Sequence, residues 1–403
     1  MRLFRCQSCD NVIYFENRVC GQCGRRLGYL PEMQTLAALE PASDDEWTPV
    51  GGKGTPRRFC LNAEQDACNW LATEGAQDGF CLACRHNGAI PEISSPENLK
   101  AWRALELAKH RLFYSLLRWG LPLETRVEDP SHGLIFKFLA DPPASGPKIM
   151  TGHDNGIITI ALAEADDVER ERRRSDLAEP YRTLLGHFRH EVGHHFWDIL
   201  VRDGGKLDAF RARFGDERQD YGVALARHYE QGPPSDWQDR FVSTYATSHP
   251  WEDFAETWAH YLHIVDTLET AAAFGMRVEP PVDPDGSHTA KIDLDPYAHG
   301  SMQDLMDRWT PFVIALNSIN RAMGRADLYP FVLAPAVIEK LGFMHELVRG
   351  SNAADFGGGE SASELASSRS AKQSSGPSGV LPMAEFQTKS SKRAAPWPNC
   401  ARS

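Results

Sequence analysis

Eight of the nine cysteines in this 403-residue chain lie before residue 85, and they fall into two groups of four. Cys6-x2-Cys9 is followed, ten residues later, by Cys20-x2-Cys23. A C-x2-C turn brings two thiolates within reach of one tetrahedral ion, and two such turns facing each other complete a four-cysteine zinc site. Cys60-x7-Cys68 and, twelve residues on, Cys81-x2-Cys84 read as a second site, although its first spacing is wider than a knuckle usually has. Gly79, Gly88 and Pro91 stand around the second knuckle as turn residues should. The competing framework is disulfides, which need an oxidising compartment. The start, MRLFRCQSCD, reaches a cysteine pair before any apolar leader segment could form, so the expectation is a reduced, cytoplasmic protein. Cys400, in a polar tail, is expected to be an unpaired thiol.

So short a cysteine module folds around its metal, because it has little core of its own. The rest of the chain must supply the core. Residues 1–31 read as a zinc ribbon and 57–92 as a second zinc module. Between them, 32–56 carries PASDDEW and VGGKGTP, acidic and then rich in Gly and Pro, and reads as a linker. From Leu99 to Trp119 there is no Gly or Pro and the apolar residues have helical spacing. Two β-type runs follow, at 134–139 and 157–162, and then helices dominate to about residue 275, with two more near 301–323 and 334–348. The fold class expected is α+β, with a mostly helical domain at 97–348 carrying a small β-sheet. Residues 350–403, rich in Ser, Ala and Gly, are expected to be disordered. No run approaches 18 apolar residues, so no membrane span is expected. The net charge of −12 argues against a protein that coats nucleic acid. The local excess of arginines in residues 1–31 would be largely offset by zinc-bound thiolates, so nucleic acid is an unlikely partner.

The chemistry centres on His190-Glu191-Val192-Gly193-His194, an H-E-x-x-H motif. Between Tyr181 and Val201 the apolar residues cluster on one helical face. His187, His190, Glu191, His194 and Asp198 fall on the other. Both imidazoles therefore lie one turn apart on a polar stripe. Gly193 costs about 1 kcal/mol relative to Ala inside a helix, tolerable where the backbone must sit close to something. A catalytic zinc needs a third ligand and an open position. Leu200 stands where an elongated motif would place a third histidine, so the ligand must come from elsewhere. Glu252 and Glu256 share one face of a helix starting after Pro250, with Glu252 as ligand and Glu256 orienting a ligand ring from behind. His260 and His263 lie near that face as rival ligands. Asp198 is a further candidate for supporting a ligand ring. A fourth protein ligand, such as His195 or His260, would close the site to catalysis.

The segments SHPWEDFAETWAHYLHIVDTLETA and HEVGHHFWD, with FEN between the first knuckles, resemble a bacterial family of zinc-binding metallopeptidases that carry an amino-terminal zinc ribbon. The family is similar to gluzincins, and the E-x-x-A-E pattern at Glu252–Glu256 resembles the lethal-factor-like and proline-proline endopeptidases. Those place a tyrosine seven residues before the ligand glutamate, where this chain has Tyr245. The resemblance implies His190, His194 and Glu252 on zinc, Glu191 as general base, Glu256 behind a ligand and Tyr245 at the oxyanion. The strand at 157–162 resembles the zincin edge strand, on which an extended peptide could align. The expectation is a zinc-dependent endopeptidase acting on peptide or protein substrates, with one catalytic and two structural zinc ions and ribbons free to meet a protein partner. The alternatives are a ribbon adaptor whose third metal site is structural, and a DNA-associated protein.

Overall fold

The computed structural model describes residues 1–52, 55–73, 75, 78–142, 148–170 and 183–354, of which 351–354 by backbone alone. The architecture is α+β: a cysteine-rich amino-terminal region of short strands, then a mostly helical region built on one small sheet. The disorder expected of the tail lies outside the described residues.

In the amino-terminal region β1 (Phe4–Arg5) pairs with β2 (Val12–Ile13), and the second knuckle leads into β3 (Leu27–Leu30). The segment expected to be a linker is not one. It contains β4 (Thr35–Pro41) and β5 (Trp47–Pro49), and β3-β4-β5 form an antiparallel sheet. Leu36, Ala37, Ala38 and Leu39 are all buried in that sheet. Single bridges from Tyr29 to Trp70 and from Trp47 to Arg57 then join this sheet to the second cysteine group.

The second cysteine group runs directly into β6 (Asn87–Ala89), which belongs to the sheet of the helical region. The strand order is β6-β7-β9-β8, with β7 at Ile135–Leu139, β8 at Gly152–Asp154 and β9 at Ile157–Ala161. β6, β7 and β9 are parallel, and β8 returns antiparallel to β9. This corrects the edge-strand expectation. β9 is paired on both sides, and the outer strand next to it is β8.

Five longer helices frame the site. α1 (Pro96–Arg118) is capped by Ser95, whose hydroxyl accepts from the Asn98 N–H. α2 (Leu184–Phe196) is capped by Thr183 and opens into a wider π-type turn at Trp197–Arg202, where a continuous helix to Val201 was expected. Two shorter helices, α3 (Leu207–Phe214) and α4 (Tyr221–Gln231), lead to α5 (Pro250–Ala273). α6 (Met302–Ala322) and α7 (Pro335–Ala354) complete the fold, α7 running six residues past the expected end at 348. The loop at 277–297 holds a small hairpin of β10 (Arg277–Val278) and β11 (Ala290–Lys291). Among the described residues no helix is long and apolar enough to cross a membrane.

Candidate active site

α2 and α5 pack against each other, and Gly193 lies in their contact. A Cβ there would sit 3.1 Å from Ala255 Cα and 3.2 Å from Trp258 Cδ1. The missing side chain lets the two helix backbones come together, which carries the polar stripe of α2 onto the acidic turn of α5. Pro250 at the first turn and His249 as cap fix where α5 begins. His249 Nδ1 accepts from the Trp251 N–H at 3.1 Å.

His190, His194 and Glu252 converge across this contact, with one ligand atom from each lying within 4.8 Å of the others. His190 Nε2 is 3.0 Å and His194 Nε2 3.5 Å from the same oxygen, Glu252 Oε2. Two imidazole nitrogens and a carboxylate oxygen aimed at one point are a donor set suited to zinc. Behind it, His190 Nδ1 lies 2.7 Å from Glu256 Oε1, and the Ser243 hydroxyl donates to Glu256 Oε2 at 2.6 Å. The Tyr221 hydroxyl donates to the second Glu252 oxygen at 2.8 Å.

The electrostatics follow from this crowding. Burial opposes the charge on Glu252, which is 2% exposed, but His194 and the hydrogen bonds from both histidines outweigh it and hold its carboxyl well below the usual range. Glu256, opposed by burial in the same way, is brought down to about 2 by His190 and Ser243. His190 is desolvated, yet carboxylates on both ring nitrogens raise it well above an ordinary histidine. Glu191 has no such partner, and burial raises its carboxyl.

A cleft of about 210 Å³ opens beside this cluster, lined by Met150, Thr151, His190, Glu191, Tyr229 and Tyr245 among others. The Tyr245 ring stands 5.9 Å from that of His190, and burial followed by the Glu252 charge pushes its phenol upward. Other expectations fare differently. Asp198 does not turn to a ligand ring: it pairs with Arg202 one turn on, at 2.6 Å. His260 lines the cleft but engages the Tyr329 hydroxyl at 2.6 Å, and His263 contacts Arg189. His195 is buried against the His153 and Phe196 rings. Among the described residues, none of these three joins the cluster of His190, His194 and Glu252. Tyr221 and Ser243 were not singled out in the sequence. Neither belongs to a motif, and their roles come from where α4 and the segment before α5 meet the acidic turn.

The cysteines form the two groups expected. Cys6, Cys9, Cys20 and Cys23 bring their sulfurs within 4.8 Å of one another, as do Cys60, Cys68, Cys81 and Cys84. Sulfurs held 2.3 Å from a tetrahedral ion stand about 3.8 Å apart. The closest observed pairs are 3.7 Å for Cys6–Cys23, 3.6 Å for Cys9–Cys20 and 3.7 Å for Cys68–Cys81. All eight cysteines are free thiols.

Comparison with known proteins finds two matching regions. Residues 3–95 match a zinc-ribbon domain, and residues 98–347 match the family described as "Putative zinc-binding metallo-peptidase". Uncharacterized proteins of Mycobacterium tuberculosis and Mycobacterium bovis are each 41% identical over 349 residues, which is 86% of this chain and 95% of theirs. No solved structure matches the chain. With well over half its length covered by the family match, and an aligned ribbon in front, the chain belongs to the zinc-binding metallo-peptidase family and carries an amino-terminal zinc-ribbon domain.

Proposed function

We propose that the chain is a zinc-dependent endopeptidase in which His190, His194 and Glu252 hold the catalytic ion. The observation that carries this reading is the convergence of three donors beside a cleft whose wall includes Glu191 and Tyr245. A fourth protein donor would favour a purely structural ion, and among the described residues none joins the cluster. When bound, zinc supplies acidification of a water and polarisation of a carbonyl.

The residues of the chain do the rest. Glu191 takes a proton from the attacking water and delivers it to the amide nitrogen as the C–N bond breaks. Its raised carboxyl suits a group that must both accept and return a proton. Tyr245 donates to the carbonyl oxygen as that atom gains negative charge. Glu256 receives the Nδ1–H of His190, fixing the tautomer that leaves Nε2 free to bind, and Ser243 holds Glu256 in turn. The outer strand β8, beside the cleft-lining Met150 and Thr151, offers backbone groups along which an extended peptide can align. Each cysteine group holds one structural zinc, and eight unpaired cysteines suit a reducing compartment such as the cytoplasm.

Glu191→Gln tests the assignment. It should leave the zinc content unchanged while lowering cleavage of a peptide library by about 10²–10⁴-fold. Undiminished cleavage by the zinc-loaded variant rejects Glu191 as the base.

A further inference from the structure

The second cysteine site has a neighbour that the first lacks. His110, on α1, points its Nε2 into the group, 3.2 Å from Cys68 Sγ, 3.6 Å from Cys84 Sγ and 3.9 Å from Cys81 Sγ. A nitrogen and a sulfur bound to one tetrahedral zinc, at about 2.0–2.1 and 2.3 Å, stand about 3.6 Å apart. The three distances bracket that value. The other ring nitrogen, Nδ1, lies 2.6 Å from the backbone carbonyl of Glu106, which can only accept. The proton therefore sits on Nδ1, and Nε2 presents a lone pair to the sulfurs, as in metal-bound histidines.

Cys68, Cys81 and Cys84 thus form a shared triangular face. The Cys60 sulfur lies within 4.8 Å of all three, and His110 Nε2 lies within 3.9 Å of all three. We propose that this site holds its zinc in two interchangeable donor sets, Cys60–Cys68–Cys81–Cys84 and Cys68–Cys81–Cys84–His110. In the exchange the Cys60–zinc bond breaks, the lone pair of His110 forms the new bond, and the departing thiolate takes a proton from water. Nothing is oxidised or reduced. The outcome is a free Cys60 thiol beside an ion that has not left. A surface cleft of about 360 Å³ is lined by Cys68 and His110, with Asp66 and Arg103 at its wall. Among the described residues no histidine or carboxylate joins the first group, so the exchange is confined to the second.

Cobalt-loaded full-length protein reports the donor set by its absorption spectrum. Cys60→Ala should keep the wild-type metal-to-protein ratio, shift the visible bands to shorter wavelength as nitrogen replaces sulfur, and lose roughly one-eighth of the thiolate charge-transfer intensity, one donor of eight. Cys60→Ala with His110→Ala should lose one ion per chain. Loss of that ion in Cys60→Ala alone, or retention of it in the double variant, overturns the proposal. Should Cys60→Ala fail to fold, native mass spectrometry of the zinc-loaded wild type during N-ethylmaleimide treatment decides. Cys60 should be alkylated first with the ion retained, and about tenfold more slowly in His110→Ala. Alkylation of Cys60 only with loss of the ion, or with no dependence on His110, overturns it.

Discussion

Gly193→Ala tests whether the approach of α2 to α5 sets the ligand geometry. Two effects oppose each other. Replacing a mid-helix glycine by alanine gains about 1 kcal/mol of intrinsic helix stability. The new methyl would meet Ala255 Cα at 3.1 Å and the Trp258 side chain at 3.2 and 3.3 Å. Ordinary carbon contacts lie at about 3.5–4.0 Å, so the helices must part by about 0.5 Å, because a backbone atom cannot rotate away. Overpacking of that kind costs about 1–3 kcal/mol, which outweighs the gain and leaves a net loss of about 1 kcal/mol. Gly342→Ala supplies the control: it lies inside α7 with nothing within 4 Å of an added Cβ, and should gain its full share. Thermal melts should therefore move in opposite directions for the two variants. His190 and Glu252 meet across the same contact at 3.0 Å. A half-ångström displacement there should weaken binding of the third zinc by about tenfold, read by competition with a chromogenic chelator. If Gly193→Ala stabilises as Gly342→Ala does and binds zinc unchanged, the glycine is not what positions the donors.

The residues around the histidines give further expectations. Glu256→Gln should lower zinc affinity about 10–100-fold by releasing His190, whereas Asp198→Ala, which loses only its pair with Arg202, should leave affinity unchanged and cost at most about 1 kcal/mol; equal effects in a chelator titration would refute the ordering. In metal-stripped protein the folded Glu256 carboxyl lies below its unfolded value, so its contribution to stability is complete above about pH 4.5 and is lost as the pH falls towards about 2. The melting temperature of the stripped wild type should thus fall more between pH 5 and pH 3 than that of stripped Glu256→Gln, and parallel falls would contradict the assignment. Tyr221→Phe, which removes the donor to Glu252 Oε1 at 2.8 Å, should weaken zinc binding about tenfold without touching the ribbon ions, as metal stoichiometry under a chelator series would report.

The convergence of His190, His194, Glu252 and Glu256 was legible because two short helical patterns place each pair one turn apart. Gly193, read as a position needing close approach, meets Ala255 of the E-x-x-A-E segment. Other features escaped for identifiable reasons. TLAALE at 35–40 is a buried strand, but its partner β3 is fixed by tertiary pairing, and the acidic and Gly-rich residues after it dominate a local reading. The apolar run at 157–162 resembles an edge strand in sequence, yet Ile158 and Ile160 are fully buried and the strand is paired on both sides. The outer strand beside it, Gly-His-Asp at 152–154, is short and carries no apolar run to mark it. Asp198 reads as part of the polar stripe, but it lies in the π-type turn and Arg202 at i+4 pairs with it, a spacing that favours such pairs. His110 sits on the buried side of α1 and carries no motif at all.

These contacts also bear on what the ribbon is for. A module hung on a linker to recruit partners would leave the facing side of α1 polar and solvated. Instead that side carries Glu106, Lys109, His110 and Tyr114, all buried. Asn87, just after the second knuckle, donates to Glu106 at 2.6 Å, and Lys109 pairs with the same carboxylate at 2.9 Å. Phe15 packs edge-on against Tyr114 at 5.3 Å, and Trp70 against His110 at 5.0 Å. The Glu106–Lys109 pair and its hydrogen bond from Asn87 thus tie the second cysteine group to the buried side of α1. α1 in turn reaches the site: the Ser115 hydroxyl donates to Asp266 of α5, the carboxylate that also receives Arg189 of α2. Asp266 thereby joins α1 to both helices whose contact aligns His190 and Glu252. The second cysteine group and the helices that carry His190, His194 and Glu252 thus pack on the same helix, α1.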